Sequence, residues 1–211
     1  MKVVIITLIL SIFLVSCGGT VATYKQDVLY KDGTVAKYVI FIEGNYSGVA
    51  TYTFNNIEYE GNQALKISSI SDYKYVKTEV AQDVKIKATT ETIVKRDDWK
   101  PLYSKYRLEF SGTEAGYHET ESRYGRMMVR WATKSPNGAY AQEVKFREEY
   151  YDEDEVLWYA PTLGYEKDYQ KSFTFFANRS AQPTSGLIWM GEMHDTIARG
   201  KTYTTWAAGI R

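Results

Sequence analysis

Apolar and polar residues alternate with a period of two through much of the chain. Val84-Lys85-Ile86-Lys87-Ala88 alternates apolar and basic, Tyr106-Arg107-Leu108-Glu109-Phe110 alternates apolar and charged, and Val144-Lys145-Phe146-Arg147 does so again. That period gives a strand one packed face and one wet face, as antiparallel sheets have. Segments 36–43, 48–57, 64–75, 127–133, 173–177, 187–190 and 201–206 read as further strands with mixed faces. Turn residues separate them at Lys31-Asp32-Gly33, Glu43-Gly44-Asn45, Glu60-Gly61-Asn62, Ser111-Gly112 and Ser135-Pro136-Asn137-Gly138, and Ser185-Gly186 reads as another turn. Many strands joined by short turns in chain order predict a mainly β fold: a curved antiparallel meander, half-barrel or open barrel. Only Val76–Gln82 and Glu153–Tyr159 suggest helix, both short.

Composition sharpens the picture. The chain carries 19 Tyr, 8 Phe and 5 Trp against 4 Pro, a set that favours pleated, half-buried surfaces. Its 26 basic and 26 acidic residues balance, which removes any electrostatic case for binding nucleic acid. No internal repeat or low-complexity tract divides it, so residues 26–211 read as a single β-rich domain.

The start of the chain differs. After Met1-Lys2, residues Val3 to Val15 are almost all apolar, and Ser16-Cys17-Gly18-Gly19 follow. A positive start, an apolar stretch of roughly 7–15 residues and small residues at the cut describe an export signal. The run falls short of the ~20 residues that a spanning helix needs. Leu14-Val15-Ser16-Cys17 resembles the lipobox of bacterial lipoproteins. The resemblance implies a signal over 1–16, a diacylglyceryl group on the Cys17 thiol, cleavage before Cys17, and a lipidated tether over 17–25. In many Gram-negative bacteria the new amino group is acylated too. Cys17 is the only cysteine, so no intramolecular disulfide can form, and lipidation accounts for a lone thiol in an exported chain. At about 0.8 kcal/mol per buried methylene, two or three acyl chains anchor a protein permanently. Gly18 stands where an aspartate would, by family rule in enteric bacteria, favour inner-membrane retention, so the expected address is the outer membrane, facing the periplasm.

From about Tyr38 the layout resembles uncharacterised exported bacterial β-proteins and, more distantly, half-barrel lipoprotein carriers such as LolA and LolB. The resemblance rests on the aromatic strand Tyr38–Phe41 with Gly48 after it, and on Trp99-Lys100-Pro101-Leu102-Tyr103 leading into a long strand. It continues with an acidic turn before Leu157 and Pro161-Thr162-Leu163, a Phe173–Phe176 strand, then Gly191-Glu192 and Gly200-Lys201-Thr202-Tyr203-Thr204. It implies a curved sheet with an apolar concave face, which in the carriers holds acyl chains. A final strand usually follows the position of Lys201–Trp206. Either the sheet ends there with an open edge, or the sequence is a fragment short of its last strand; the second is favoured.

Candidate chemistry does not assemble. His118 and His194, with Glu119, Glu121 and Glu192 near them in sequence, do not make the three or four ligands of a zinc site, so no metal is expected. His194-Asp195 are adjacent, and strand neighbours point to opposite faces; a Gly-x-Ser-x-Gly elbow does not occur. Glu148-Glu149 and Asp152-Glu153-Asp154-Glu155 lack the glycine and closing glutamate of a calcium loop, and read as a hydrated turn or a helix start. No carboxylate pair stands out for glycoside hydrolysis. Tyr73, Tyr75, Tyr103, Tyr106, Trp131, Tyr165 and Trp189 suit either a β-core or a sugar or acyl pocket. The expectation is a non-enzymatic envelope lipoprotein without cofactor, binding an amphipathic or acyl ligand or an envelope protein through its sheet. The alternatives are a purely structural or interaction lipoprotein and a carbohydrate-binding or hydrolytic one.

Overall fold

The computed structural model describes residues 30–42, 45–77, 82–111, 116–159, 170–198 and 201–210. Eight strands form one antiparallel meander in chain order: β1 (Thr34–Ile42), β2 (Asn45–Tyr59), β3 (Asn62–Lys77), β4 (Gln82–Lys95), β5 (Pro101–Ser111), β6 (Gly116–Tyr124), β7 (Met128–Ser135) and β8 (Gly138–Lys145). Strands β1 and β8 do not pair with each other, so this is a curved open sheet, as the alternation predicts. A short strand β9 (Tyr150–Asp152) and one helical turn α1 (Val156–Tyr159) follow, then β10 (Gln170–Ala177), β11 (Gln182–Ala198) and β12 (Lys201–Ile210). These last three strands and β9 make a second sheet in the order β12-β11-β10-β9, with β9 parallel to β10. The periodicity of the sequence does not separate the two sheets, because each strand alternates in the same way whichever sheet receives it.

Local chemistry sets the corners. Tyr59 pairs with Asn62 across Glu60 (φ 48°) and Gly61 (φ 75°), two successive left-handed residues. That is the type I′ turn whose twist matches the strands it joins. Between β1 and β2 the register passes from Ile40↔Gly48 to Phe41↔Tyr46, which makes Ser47 the extra residue of a bulge. A Cβ on Gly48 would lie 2.1 Å from the Asp72 carbonyl oxygen and 2.6 Å from the Tyr73 Cα, both backbone atoms of β3. Gly48→Ala is therefore expected to cost about 1–3 kcal/mol by forcing β2 and β3 apart. Urea denaturation reads this directly, and an unchanged midpoint would refute the close approach.

Two readings of the sequence need correction. Val76 and Lys77 continue β3 and Gln82 opens β4, with Val76↔Asp83 and Lys77↔Gln82 paired, so no helix spans 76–82. A ladder that runs unbroken from Ala64↔Lys95 to Lys77↔Gln82 holds both ends of this segment as strand and overrides their local preference. Ser185-Gly186 is not a turn: Ser185 pairs with Thr174 and Gly186 with Phe173 inside the β10–β11 ladder. A Cβ on Gly186 would sit 2.6 Å from the Phe173 ring, so the glycine seats an aromatic side chain.

Much of the inner face of the eight-stranded sheet is packed, while Tyr73, Ile86, Leu108 and Phe110 toward one end of β3–β5 are half-buried. Tyr30, Phe54, Leu65, Ile67, Val94 and Trp99 pack with Trp158 of α1. Val129, Trp131, Phe146, Tyr150, Phe176 and Ala181 form a second cluster. Trp99 reaches its place from a left-handed backbone, φ 57°, which is costly for a bulky residue and is held by burial against Tyr30. In strand order the central strands β3–β6 carry small buried hydroxyls inward: Ser69, Ser71, Thr92, Ser104, Thr120 and Ser122. The outer face divides along the sheet. From β3 to β8 it bears cross-strand ion pairs, among them Lys66–Glu91 (3.3 Å), Arg107–Glu119 (3.1 Å) and Arg130–Glu143 (3.2 Å). Exposed pairs of this kind add little stability and keep a face wet. Toward β1, Val35, Val39, Val49 and Ile70 stand exposed instead, with Val39 paired to Val49 and Thr51 to Ile70.

Candidate functional site

The segment with the least ordinary chemistry is the acidic run after β9. Asp152 and Glu155 are 0% exposed, which overturns the hydrated turn read from the sequence. Local hydrogen bonds shape the run: the Asp154 amide donates to Asp152 Oδ1 at 2.8 Å, and the Glu155 carbonyl accepts from the amides of Trp158 and Tyr159, both at 2.8 Å. The first is an Asx turn and the second starts α1, so the helix read over Glu153–Tyr159 shrinks to Val156–Tyr159.

Asp152 is well supplied with donors. The Tyr124 hydroxyl donates to its Oδ2, and Asn178 Nδ2 donates to the same oxygen at 2.6 Å. Asn178, in the turn between β10 and β11, is the hub of this network. Its Oδ1 accepts from Ser122 Oγ at 2.5 Å and Ser104 Oγ at 3.3 Å, and its backbone carbonyl accepts from Trp131 Nε1 at 2.8 Å. Burial raises the Asp152 carboxyl above the ordinary aspartate range, and these donors recover part of the shift. The same seclusion holds the Tyr124 hydroxyl well above its ordinary value, with the Asp152 charge adding to it.

Glu155 is the opposite case. Neither carboxyl oxygen has a hydrogen-bond partner within bonding geometry. Burial drives its carboxyl well above the usual range, the charge of Asp152 adds to that, and a looser approach of the Asp152 amide offsets a little of it. Glu153 and Asp154, half-buried, are pushed up to about 8 and about 7, first by burial and then by neighbouring carboxylates. Arg179, more exposed, lies over the Tyr106 ring at 4.9 Å and pulls both back down.

Beside β9 the surface opens into a groove of about 420 Å³, lined among others by Glu148, Glu149, Tyr151, Lys171 and Phe173. An adjoining groove of about 280 Å³ runs past Phe146, Arg147, Thr174 and Pro183. Lys171 donates to the Tyr159 hydroxyl and lies 4.7 Å from that ring's centre, and Tyr151 stacks on Tyr159 at 4.9 Å. Both grooves are open to solvent.

The residues singled out in sequence scatter. Leu14, Val15, Ser16, Cys17 and Tyr165 lie outside the described residues. His118 is on β6 and pairs with Leu108, whereas His194 is on β11 and pairs with Thr205, in the other sheet. Among the described residues no three His, Cys, Asp or Glu are placed to hold a metal ion. Trp131 and Tyr106 are core residues, and Tyr103 packs beside Tyr59. Sequence reading missed Asn178 and Arg179. Their only signal, Asn178-Arg179-Ser180 between apolar segments, describes a surface turn and gives no hint that one of the three is buried. No family model, no curated protein and no solved structure matches the chain.

Proposed function

We propose that the chain is a lipid-anchored protein of the bacterial envelope, held in the outer membrane through Cys17, whose β domain docks an envelope partner. The carrying observation is Leu14-Val15-Ser16-Cys17 at the end of an apolar run, with no other cysteine in the chain. Cys17→Ser is expected to leave the precursor unlipidated and release the protein from the membrane fraction. Metabolic labelling with a palmitate analogue checks it, and label persisting on the variant would refute the anchor.

Docking is favoured over carriage of an acyl chain by the packing of the inner face. Trp158, Phe54, Leu65 and Val94 are buried together on the concave side, which leaves less room there for an acyl chain. The outer face near β1 exposes apolar side chains instead, Val35 56%, Val39 51% and Ile70 53%, interleaved with Lys37 and Thr51, and Val39 beside Val49 is the apolar pair proposed as the contact point. A photoreactive residue at Val39 should trap one envelope protein in cells, while the same probe at Arg130, among the ion pairs, should not. Equal or absent crosslinking at both positions would count against docking there. An acyl-loaded mass for the intact protein would restore the carrier reading.

A further inference from the structure

We propose that the acidic turn is a proton-operated clamp: with protons on Glu153, Asp154 and Glu155 it holds β9 and α1 on the eight-stranded sheet, and base releases them.

The argument starts from charge balance. Four consecutive carboxyls sit in or at the edge of the interior, two of them fully buried. The charged groups that act on them from other elements are few: Arg179 from the β10–β11 turn, over Tyr106, and Asp98 from the β4–β5 connection, which has the same sign as the run. The remaining titratable neighbours are tyrosines. Tyr124 of β6 donates to Asp152. Tyr52 of β2, Tyr73 of β3 and Tyr106 of β5 face Asp154, Glu153 or Arg179, and Tyr150 and Tyr151 of β9 face Glu155. Neutral phenols cannot compensate a carboxylate's charge. The acids also do not converge on a point where a metal ion could sit, among the described residues. Protons are the remaining neutralising species. Glu155 makes the case most sharply, since an ionised carboxylate with only a loose approach from the Asp152 amide in a closed interior costs far more than a neutral acid in the same place.

The turn is also where the two sheets join. Directly after it, Trp158 enters the aromatic cluster on β2 and β3, and directly before it Tyr150 enters the cluster on β7. Ionising the run therefore acts on the residues that hold both clusters together.

The direction of the pH response follows from the raised carboxyls. Below the ordinary glutamate value near 4.5, folded and open chains are both protonated and the clamp is at full strength. Between there and about 8, where Glu153 ionises in the folded chain, the open chain holds fewer protons, so stability falls as pH rises. Each carboxyl that keeps its proton only in the folded chain raises the opening constant about tenfold per pH unit.

The test is denaturant unfolding of the full-length chain across pH 5 to 9, followed by tryptophan emission, with Glu155→Gln as the variant. Glutamine keeps the shape of the neutral acid and cannot ionise. The wild type should lose stability steadily with pH, and the variant's slope should be shallower by about tenfold per unit. Parallel curves, or a wild type that gains stability with pH, would overturn the clamp. Should the variant fail to fold, infrared spectroscopy of the wild type decides: a protonated-carboxyl band at pH 7 that disappears by pH 9 supports the proposal, and no band at pH 7 refutes it. None of these readouts depends on the anchor or the partner.

Discussion

Trp158→Ala should lower folding stability by about 3–5 kcal/mol, the range found when a buried aromatic is removed from a packed core. Trp158 is 3% exposed although it belongs to a helix of four residues, too short to be stable by itself. Its indole lies 4.6 Å from the Tyr52 ring, 5.0 Å from Phe54 and 5.8 Å from Tyr38, so one side chain contacts the inner faces of both β1 and β2. Its carbonyl accepts the Tyr30 hydroxyl at 2.9 Å, which fixes the segment before β1 as well. Removing the indole leaves a cavity that the stiff sheet cannot close, and α1 loses the anchor that makes it helical. Leu157→Ala, at a partly buried neighbour, is the control and should cost clearly less. Urea denaturation monitored by far-UV circular dichroism measures both. A Trp158→Ala loss below about 1 kcal/mol would mean that α1 does not hold the sheet.

The same residue shows where sequence reading reaches its limit. The alternation in 84–88 and 106–110 places β4 and β5 because both faces of those strands differ in polarity, so the pattern itself carries the fold. Strand β6 escapes that logic. Its inward residues Thr120 and Ser122 are buried hydroxyls and its outward residues are Glu119, Glu121 and Arg123, so the segment reads as polar throughout. What makes it a strand is pairing on both sides, to β5 and β7, which only the assembled sheet supplies. Strand β9 is three residues long and pairs in parallel with a strand about twenty residues later in the chain, a relation with no local signature. The acidic run is the hardest case. Four consecutive acids signal solvent by composition alone, and the reversal depends on donors from Tyr124 and Asn178, which lie far away in sequence. Sequence patterns report faces; they do not report which polar groups meet across an interior.

Asn178 is where those distant groups meet, and its replacement gives the second large effect. Asn178→Ala removes one donor to Asp152 and the acceptor used by Ser122 and Ser104, all within the interior. A buried polar group left without its partner costs about 1–3 kcal/mol, and a buried carboxylate deprived of one costs more, so a total loss of about 3–5 kcal/mol is expected. The Trp131 contact survives, because it is made to the Asn178 backbone carbonyl, and this separates a network defect from collapse of the turn. Asn178→Asp tests the electrostatics at nearly constant shape. Two carboxyls would then face each other where an amide donated to an acid, and they fit only when they share a proton. A proton held more tightly in the folded chain than in the open one stabilises at acid pH and ceases to do so as pH rises through the folded value. Asn178→Asp should therefore resemble the wild type near pH 4 and fall progressively behind it toward pH 8, whereas the deficit of Asn178→Ala should vary less with pH. A constant deficit for Asn178→Asp would mean that water reaches Asp152, and the interior described for the acidic turn would not be closed.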